Sequence, residues 1–276
     1  MLTDEEFRLF RNLIYEESGM YFKESRKDFL ESRLMKRMQA TKTATPYWYY
    51  RLVTESRKAE LLAFLDHLTI NETSFFRNPP QIELFENVIL PGVAARKKEE
   101  KRKQLRIWSA GCSTGEEPYS IAMALRERIP DLETWNIAIF ASDLSLTALD
   151  AAHRGLYGAA KVRETVPPAL LGKYFEPEGD AYRVAERVRR MVVFDFHNLK
   201  HENGLSGLDI IFCRNVMIYF DDLEQKRLVN KLYQSLDPGG YLLLGHAETL
   251  HGWNLNFQFI YDRKGTAYRK PDKEQP

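Results

Sequence analysis

Apolar side chains recur at helical spacing through the first quarter of the chain. Phe7, Phe10 and Ile14 share one helical face. Thr3 with Glu6 three residues on has the spacing of a capping box at its start. Leu30, Leu34 and Met38 repeat at i, i+4 and i+8, and Leu61, Phe64, Leu65 and Leu68 mark a further helix over 60–68. No clear strand is expected before residue 105. From there, short apolar runs alternate with helical stretches. Strands are predicted at 105–110, 136–141, 191–194, 208–213 and 241–245. Helices are predicted from Glu116-Glu-Pro118, after Ser142-Asp143 to Leu149, and over 223–236. Residues 257–261 and 266–269 read as a closing hairpin. This alternation predicts an α/β fold with a mostly parallel, doubly wound sheet covered on both faces. A small all-helical domain (1–75) and a linker (76–104) precede the sheet domain (105–276). Residues 154–190 are too long for a simple connection, and the partial alternation of 182–188 predicts a small inserted antiparallel β-subdomain.

Composition narrows the function classes. Of 276 residues, 40 are basic and 39 acidic, a balance that argues against nucleic acid as a bulk partner. The densest charge run, 96–103, reads as a solvated helix end or linker. No apolar run approaches the ~20 residues that span a bilayer, and the first residues lack the pattern of a signal peptide. With only Cys112 and Cys213, neither a disulfide scaffold nor a cysteine-based zinc site is expected. His197, His201 and His251 show no metal-ligand spacing, so no metal is expected. The chain reads as cytoplasmic.

The loop Gly111-Cys-Ser-Thr-Gly115 carries the first chemistry. As a nucleophile elbow it would make Ser113 a hydrolase nucleophile, with His246 as a candidate partner. As a loop after the first strand of a doubly wound sheet, it would let backbone approach a ligand. An elbow has several strands before it, whereas the preceding 104 residues look helical. Glu116-Glu117 would repel a pyrophosphate and welcome a cation. Asp143, at the end of the second strand, stands where an acidic residue binds ribose hydroxyls, although a helix N-cap is an equal reading for it alone. A ligand with ribose, positive charge and no phosphate is S-adenosylmethionine. His246-Ala-Glu248 reads as structural rather than as a catalytic pair.

Four segments carry a family resemblance: Thr69-Ile-Asn-Glu-Thr-Ser-Phe-Phe-Arg77, Ser109-Ala-Gly-Cys-Ser-Thr-Gly-Glu-Glu-Pro-Tyr-Ser120, Phe140-Ala-Ser-Asp143 and Phe212-Cys-Arg-Asn-Val-Met-Ile-Tyr-Phe220. Together they resemble the chemoreceptor glutamate O-methyltransferase (CheR) family over nearly the whole chain. The resemblance implies a helical N-terminal domain followed by an S-adenosylmethionine-dependent methyltransferase sheet with an inserted β-subdomain. It implies methyl transfer to glutamate side chains of the cytoplasmic helical bundle of chemotaxis receptors, with S-adenosylhomocysteine as by-product and a separate methylesterase as functional counterpart. By the same resemblance Asn71, Thr73 and Arg77 close over the cofactor. Glu117 and Asp143 are its acidic contacts, Asn198 and Leu199 lie near the adenine, and Arg214 and Asn215 end the fourth strand. Tyr219, with Arg77, touches the reacting groups. The longer glycine-containing loop of receptor-tail-binding members is not evident around Glu176–Asp180.

Arg26, Lys27, Arg33, Lys36 and Arg37 outnumber Asp28 and Glu31 along the second helix. The face reads either as a solvated surface or as a docking face for an acidic receptor helix. Other functions the residues leave open are methyl transfer to a different substrate, cofactor binding without turnover, and hydrolysis through Ser113.

Overall fold

Four helices build the N-terminal unit: α1 (Asp4–Ser18), α2 (Lys27–Thr41), α3 (Pro46–Arg51) and α4 (Lys58–Leu68). The computed structural model describes residues 2–56, 58–253 and 255–272. The Thr3 capping box forms: Thr3 Oγ1 accepts from Glu6 N–H, and Thr3 N–H donates to Glu6 Oε2 at 2.8 Å. Phe10, Tyr49 and Phe64 pack edge-on or tilted at the centre of this unit, with centroids 5.6–6.2 Å apart. The short helix α3 was not expected; Thr45 caps it and Pro46 opens it.

Segment 76–104, expected as a linker, is mostly helix and belongs to the core of the sheet domain. Helix α5 (Pro79–Leu84) runs through a π-helical turn (Phe85–Ile89) into α6 (Leu90–Glu99). Pro91 has no N–H for the carbonyl one turn back, and the helix widens just before it. Leu84, Phe85, Ile89, Leu90 and Val93 are buried in the same apolar cluster as the sheet. The charge run is also not simply solvated. Lys97 is buried and pairs with the equally buried Asp209 at 2.6 Å, while Lys98 and Lys103 pair with Asp131.

The remaining chain alternates as expected: β1 (Gln104–Ala110), α7 (Glu116–Arg128), β2 (Asn136–Asp143) and α8 (Leu146–Arg154). The insert follows, with β3 (Leu156–Gly158), α9 (Ala159–Thr165), α10 (Pro168–Tyr174), β4 (Phe175–Glu178), β5 (Ala181–Val184) and α11 (Glu186–Arg189). Then come β6 (Val192–Phe196), β7 (Leu208–Cys213), α12 (Asp222–Ser235), β8 (Leu236–Leu244), β9 (Gln258–Asp262) and β10 (Gly265–Arg269). The main sheet has the order β6-β2-β1-β7-β8-β10-β9, parallel except at the closing hairpin. The insert forms a separate antiparallel sheet, β3-β5-β4. Strand order reverses between β1 and β7, which leaves a crevice at their carboxyl ends. No helix among the described residues is long and apolar enough to cross a membrane.

Candidate active site

The crevice is built by loops that leave the strands. After β1 the chain turns at Gly111 (φ 78°) and again at Gly115 (φ 94°), the N-cap of α7. A Cβ on Gly111 would lie 2.4 Å from Val216 Cγ2, and one on Gly115 would lie 2.8 Å from Ala152 Cβ. Both positions therefore need glycine for space as well as for conformation. The turn brings Ser113 N–H to Asp143 Oδ2 at 2.8 Å, while Ser145 N–H reaches Oδ1 at 2.8 Å. Ser145, not Asp143, caps α8: its Oγ accepts from Ala148 N–H.

Asp143 is 9% exposed. Burial pushes its carboxyl up, the backbone donors of Ser145 and Ser113 pull against this, and Asp66 raises it further. Each carboxylate oxygen holds one backbone donor and keeps acceptor capacity for another. A pair of vicinal hydroxyls suits that capacity.

Arg214, at the end of β7, is also buried. Its Nη1 donates to Glu117 Oε2 at 3.2 Å and its Nη2 to Arg77 O at 2.6 Å. Glu117 Oε1 accepts from Ser109 Oγ at 2.7 Å. Burial pulls the guanidinium pKa down, opposed chiefly by Glu117. Arg214 Nε has no partner among the described residues. A buried guanidinium with a spare N–H suits an anionic group such as an amino-acid carboxylate. The donor set thus fits a ribosyl amino acid.

One cavity gathers every residue the sequence assigned to cofactor or chemistry: Asn71, Thr73, Arg77, Glu117, Asp143, Asn198, Leu199, Arg214, Asn215 and Tyr219. Asn71 Nδ2 donates to Ser145 Oγ at 3.2 Å. Tyr219, in the short helical turn after β7, is half-buried. Burial pushes its phenol up, and the Arg26 and Arg77 charges pull it back. It stays a hydrogen-bond donor at neutral pH. Ser18, Met20 and His197 also line the cavity and were not expected there.

Other sequence readings resolve differently. Ser113 Oγ reaches Asn71 Oδ1 at 3.5 Å and has no histidine partner among the described residues. Glu248 is structural: its Oε2 accepts from Gly245 N–H at 2.6 Å and Asn215 N–H at 2.9 Å. Burial holds the Cys112 and Cys213 thiols well above their usual range.

None of the five basic residues assigned to docking lines the cavity. Arg37 does not face outward. It donates two bonds to the buried Glu60, at 3.0 and 2.7 Å, and Tyr49 OH gives Glu60 a third at 2.7 Å. Lys27 pairs with Asp4, and Arg26 and Arg33 lie over the Phe29 ring.

Comparison with known families places the whole of this architecture. Residues 5–69 match the CheR methyltransferase all-alpha domain, and residues 71–266 match the CheR methyltransferase SAM binding domain. The chain belongs to the CheR methyltransferase family. Its activity is S-adenosylmethionine-dependent methyl transfer. The chain is 36% identical to chemotaxis protein methyltransferase 2 of Vibrio cholerae, over 99% of this chain and 95% of that protein. It is 34% identical to the chemotaxis protein methyltransferase of Borreliella burgdorferi, over 94% and 93%. The two CheR segments meet at 69–71, where α4 ends and the chain enters the cavity wall through Asn71.

Proposed function

We propose that the protein methylates glutamate side chains of chemotaxis receptors at this cavity, with Arg77 and Tyr219 at the reacting groups. The observation that carries the reading is the convergence of a buried acceptor carboxylate, a buried guanidinium and a half-buried phenol on one cleft at the β1/β7 crevice. S-adenosylmethionine supplies an electrophilic methyl group on a sulfonium sulfur. A solvent-exposed glutamate has a pKa of ~4.3 and arrives ionised, so the cavity needs no general base. A Ser-His arrangement at Ser113 is therefore not required. Asp143 binds ribose hydroxyls and Arg214 the amino-acid carboxylate. Tyr219 orients the incoming glutamate by donating a hydrogen bond while keeping its proton, and Arg77 holds the anionic groups in place. Such alignment is worth roughly 7–11 kcal/mol at most. The methyl ester formed is a substrate for a separate esterase that restores the carboxylate.

Radiolabelled S-adenosylmethionine and a receptor-containing membrane fraction test the reading. Label should enter receptor and leave as methanol in base; label that resists base would exclude a glutamate ester. In the same assay, Tyr219→Phe should keep cofactor affinity and lower kcat and kcat/KM together, by roughly tenfold for one lost hydrogen bond of ~1.4 kcal/mol. Wild-type turnover in the variant would assign Tyr219 to packing.

The docking face is narrower than the sequence suggested. Arg37 is committed to Glu60, which leaves Arg26 at the start of α2 and Arg33 and Lys36 further along it. An acidic receptor helix steered by these charges would feel them over ~8–10 Å at physiological salt. Reversing Arg33 and Lys36 to Glu should raise KM for receptor several-fold at low salt and leave S-adenosylhomocysteine affinity unchanged. Normal receptor methylation at low salt in that double variant would remove α2 as the docking surface.

A further inference from the structure

Helix α1 has Asp4, Glu5 and Glu6 in its first turn and no basic residue in its last. Its carboxyl end is the negative pole of the helix dipole and has no cation of its own, although Gly19 N–H already caps Tyr15 O at 2.9 Å. The sheet domain provides one. Lys200 Nζ donates to Tyr15 O at 2.8 Å and also to Glu16 O, and Asn198 Nδ2 donates to Glu17 O at 2.7 Å. The loop that carries them is held from its other side by Lys231 of α12, whose ammonium donates to the carbonyls of Leu199, Lys200 and His201.

A contact of opposite sign joins the same two units. Asp66, near the end of α4, accepts from Ser145 Oγ and, at 2.5 Å, from Thr147 Oγ1. These hydroxyls stand at the amino end of α8, the positive pole of that helix. A third seam is backbone: Tyr21 N–H donates to Tyr219 O at 2.9 Å, and Met20 bridges Phe220. The segments so fastened carry Ser18, Met20 and Asn71 into the wall of the same cavity that Asn198, Leu199 and Asp143 line.

We infer that Lys200 and Asp66 are positioning residues for the cofactor site: they seat the helical unit by helix-end contacts of opposite sign, so that affinity for the methyl donor is coupled to that seating. A ligand that touches residues of both units is favoured by whatever holds the units together, and by linkage it favours that contact in return. The inference rests on the cavity being the cofactor site.

Calorimetry with S-adenosylhomocysteine on the full chain tests it, beside amide exchange of residues 15–21. Lys200→Met, which keeps the stem and removes the charge, should raise Kd about fivefold or more, the lower end of typical couplings. KM for S-adenosylmethionine should rise by the same factor with kcat within about twofold. Exchange at 15–21 should quicken in the free variant and slow again at saturating ligand. Lys200→Arg, which can also donate to several carbonyls, should restore affinity. Asp66→Asn, which keeps shape and removes charge, should raise Kd as well and serves if Lys200→Met folds poorly. If both variants fold and bind with wild-type affinity, or if Lys200→Arg binds as weakly as Lys200→Met, the coupling is overturned. A wild-type chain that does not bind would remove the cofactor reading, and the coupling with it.

Discussion

Asp143→Ala will weaken S-adenosylhomocysteine binding by roughly 10- to 150-fold, or about 1.5–3 kcal/mol for hydrogen bonds to a charged group. Both carboxylate oxygens already hold backbone donors, Ser113 N–H and Ser145 N–H. The side chain therefore fixes the loops after β1 and β2 in relation to each other before any ligand arrives. Alanine removes the ligand's acceptor and the tie between the loops together. Part of the lost affinity should appear as a lower melting temperature of the free protein, because two backbone donors must find water instead. Asparagine is no conservative replacement: its amide nitrogen would face one of those N–H groups, donor against donor. Calorimetry of the folded variant decides the matter, and unchanged affinity would take Asp143 out of the site.

Asp143 was legible because it ends an apolar strand run where a doubly wound sheet places its ligand contacts. Arg77 and Asn71 were legible only through the motif that contains them, since their local pattern is that of an ordinary loop. Ser18 and Met20 gave no signal. Their place in the wall depends on α1 docking against loops some 180 residues later in the chain, and no local periodicity encodes such a contact. Arg37 was misplaced for a related reason. Helical spacing tells which face of α2 is apolar, but not that Glu60 waits buried on a neighbouring helix for one particular guanidinium. Helix 79–99 was missed because Pro79, Pro80 and Pro91 and the π-turn break the period on which recognition relies.

The charged run at the end of that helix leads to the second large effect. Lys97→Met should lower stability by about 3 kcal/mol, near the bottom of the range for breaking a buried pair. Asp209 is 1% exposed and would lose the ammonium 2.6 Å away. It would keep Arg96, 3.7 Å distant, and the backbone N–H of Arg106 at 2.9 Å. Burial already raises the Asp209 carboxyl, and Lys97 is first among the groups opposing it. Urea unfolding should show a lower midpoint with an unchanged slope. Adding Asp209→Asn should recover part of the loss, since no buried charge is then stranded. A single variant within about 0.5 kcal/mol of wild type, as for an ordinary surface substitution, would mean that the pair does not anchor α6 to the start of β7.

Gln81 ties the beginning of the sheet domain to its end. Its Nε2 donates to Leu244 O at 2.8 Å and to Thr266 O at 2.9 Å, across 185 positions of sequence. Gly265 belongs to the same junction: a Cβ there would lie 2.4 Å from Pro80 O. On the ribosome these two parts of the chain are made at different times. At about 5–20 residues per second, Gln81 waits roughly 10–40 s for its partners to be synthesised. The buried residues of the helical unit's cluster all lie between positions 2 and 68, and only Leu144 and Tyr219 pack on it from later in the chain. The nascent protein thus has most of its helical unit ready first. It holds an unfinished methyltransferase core, with the face of α5 that packs on β10 uncovered, until the last hairpin emerges.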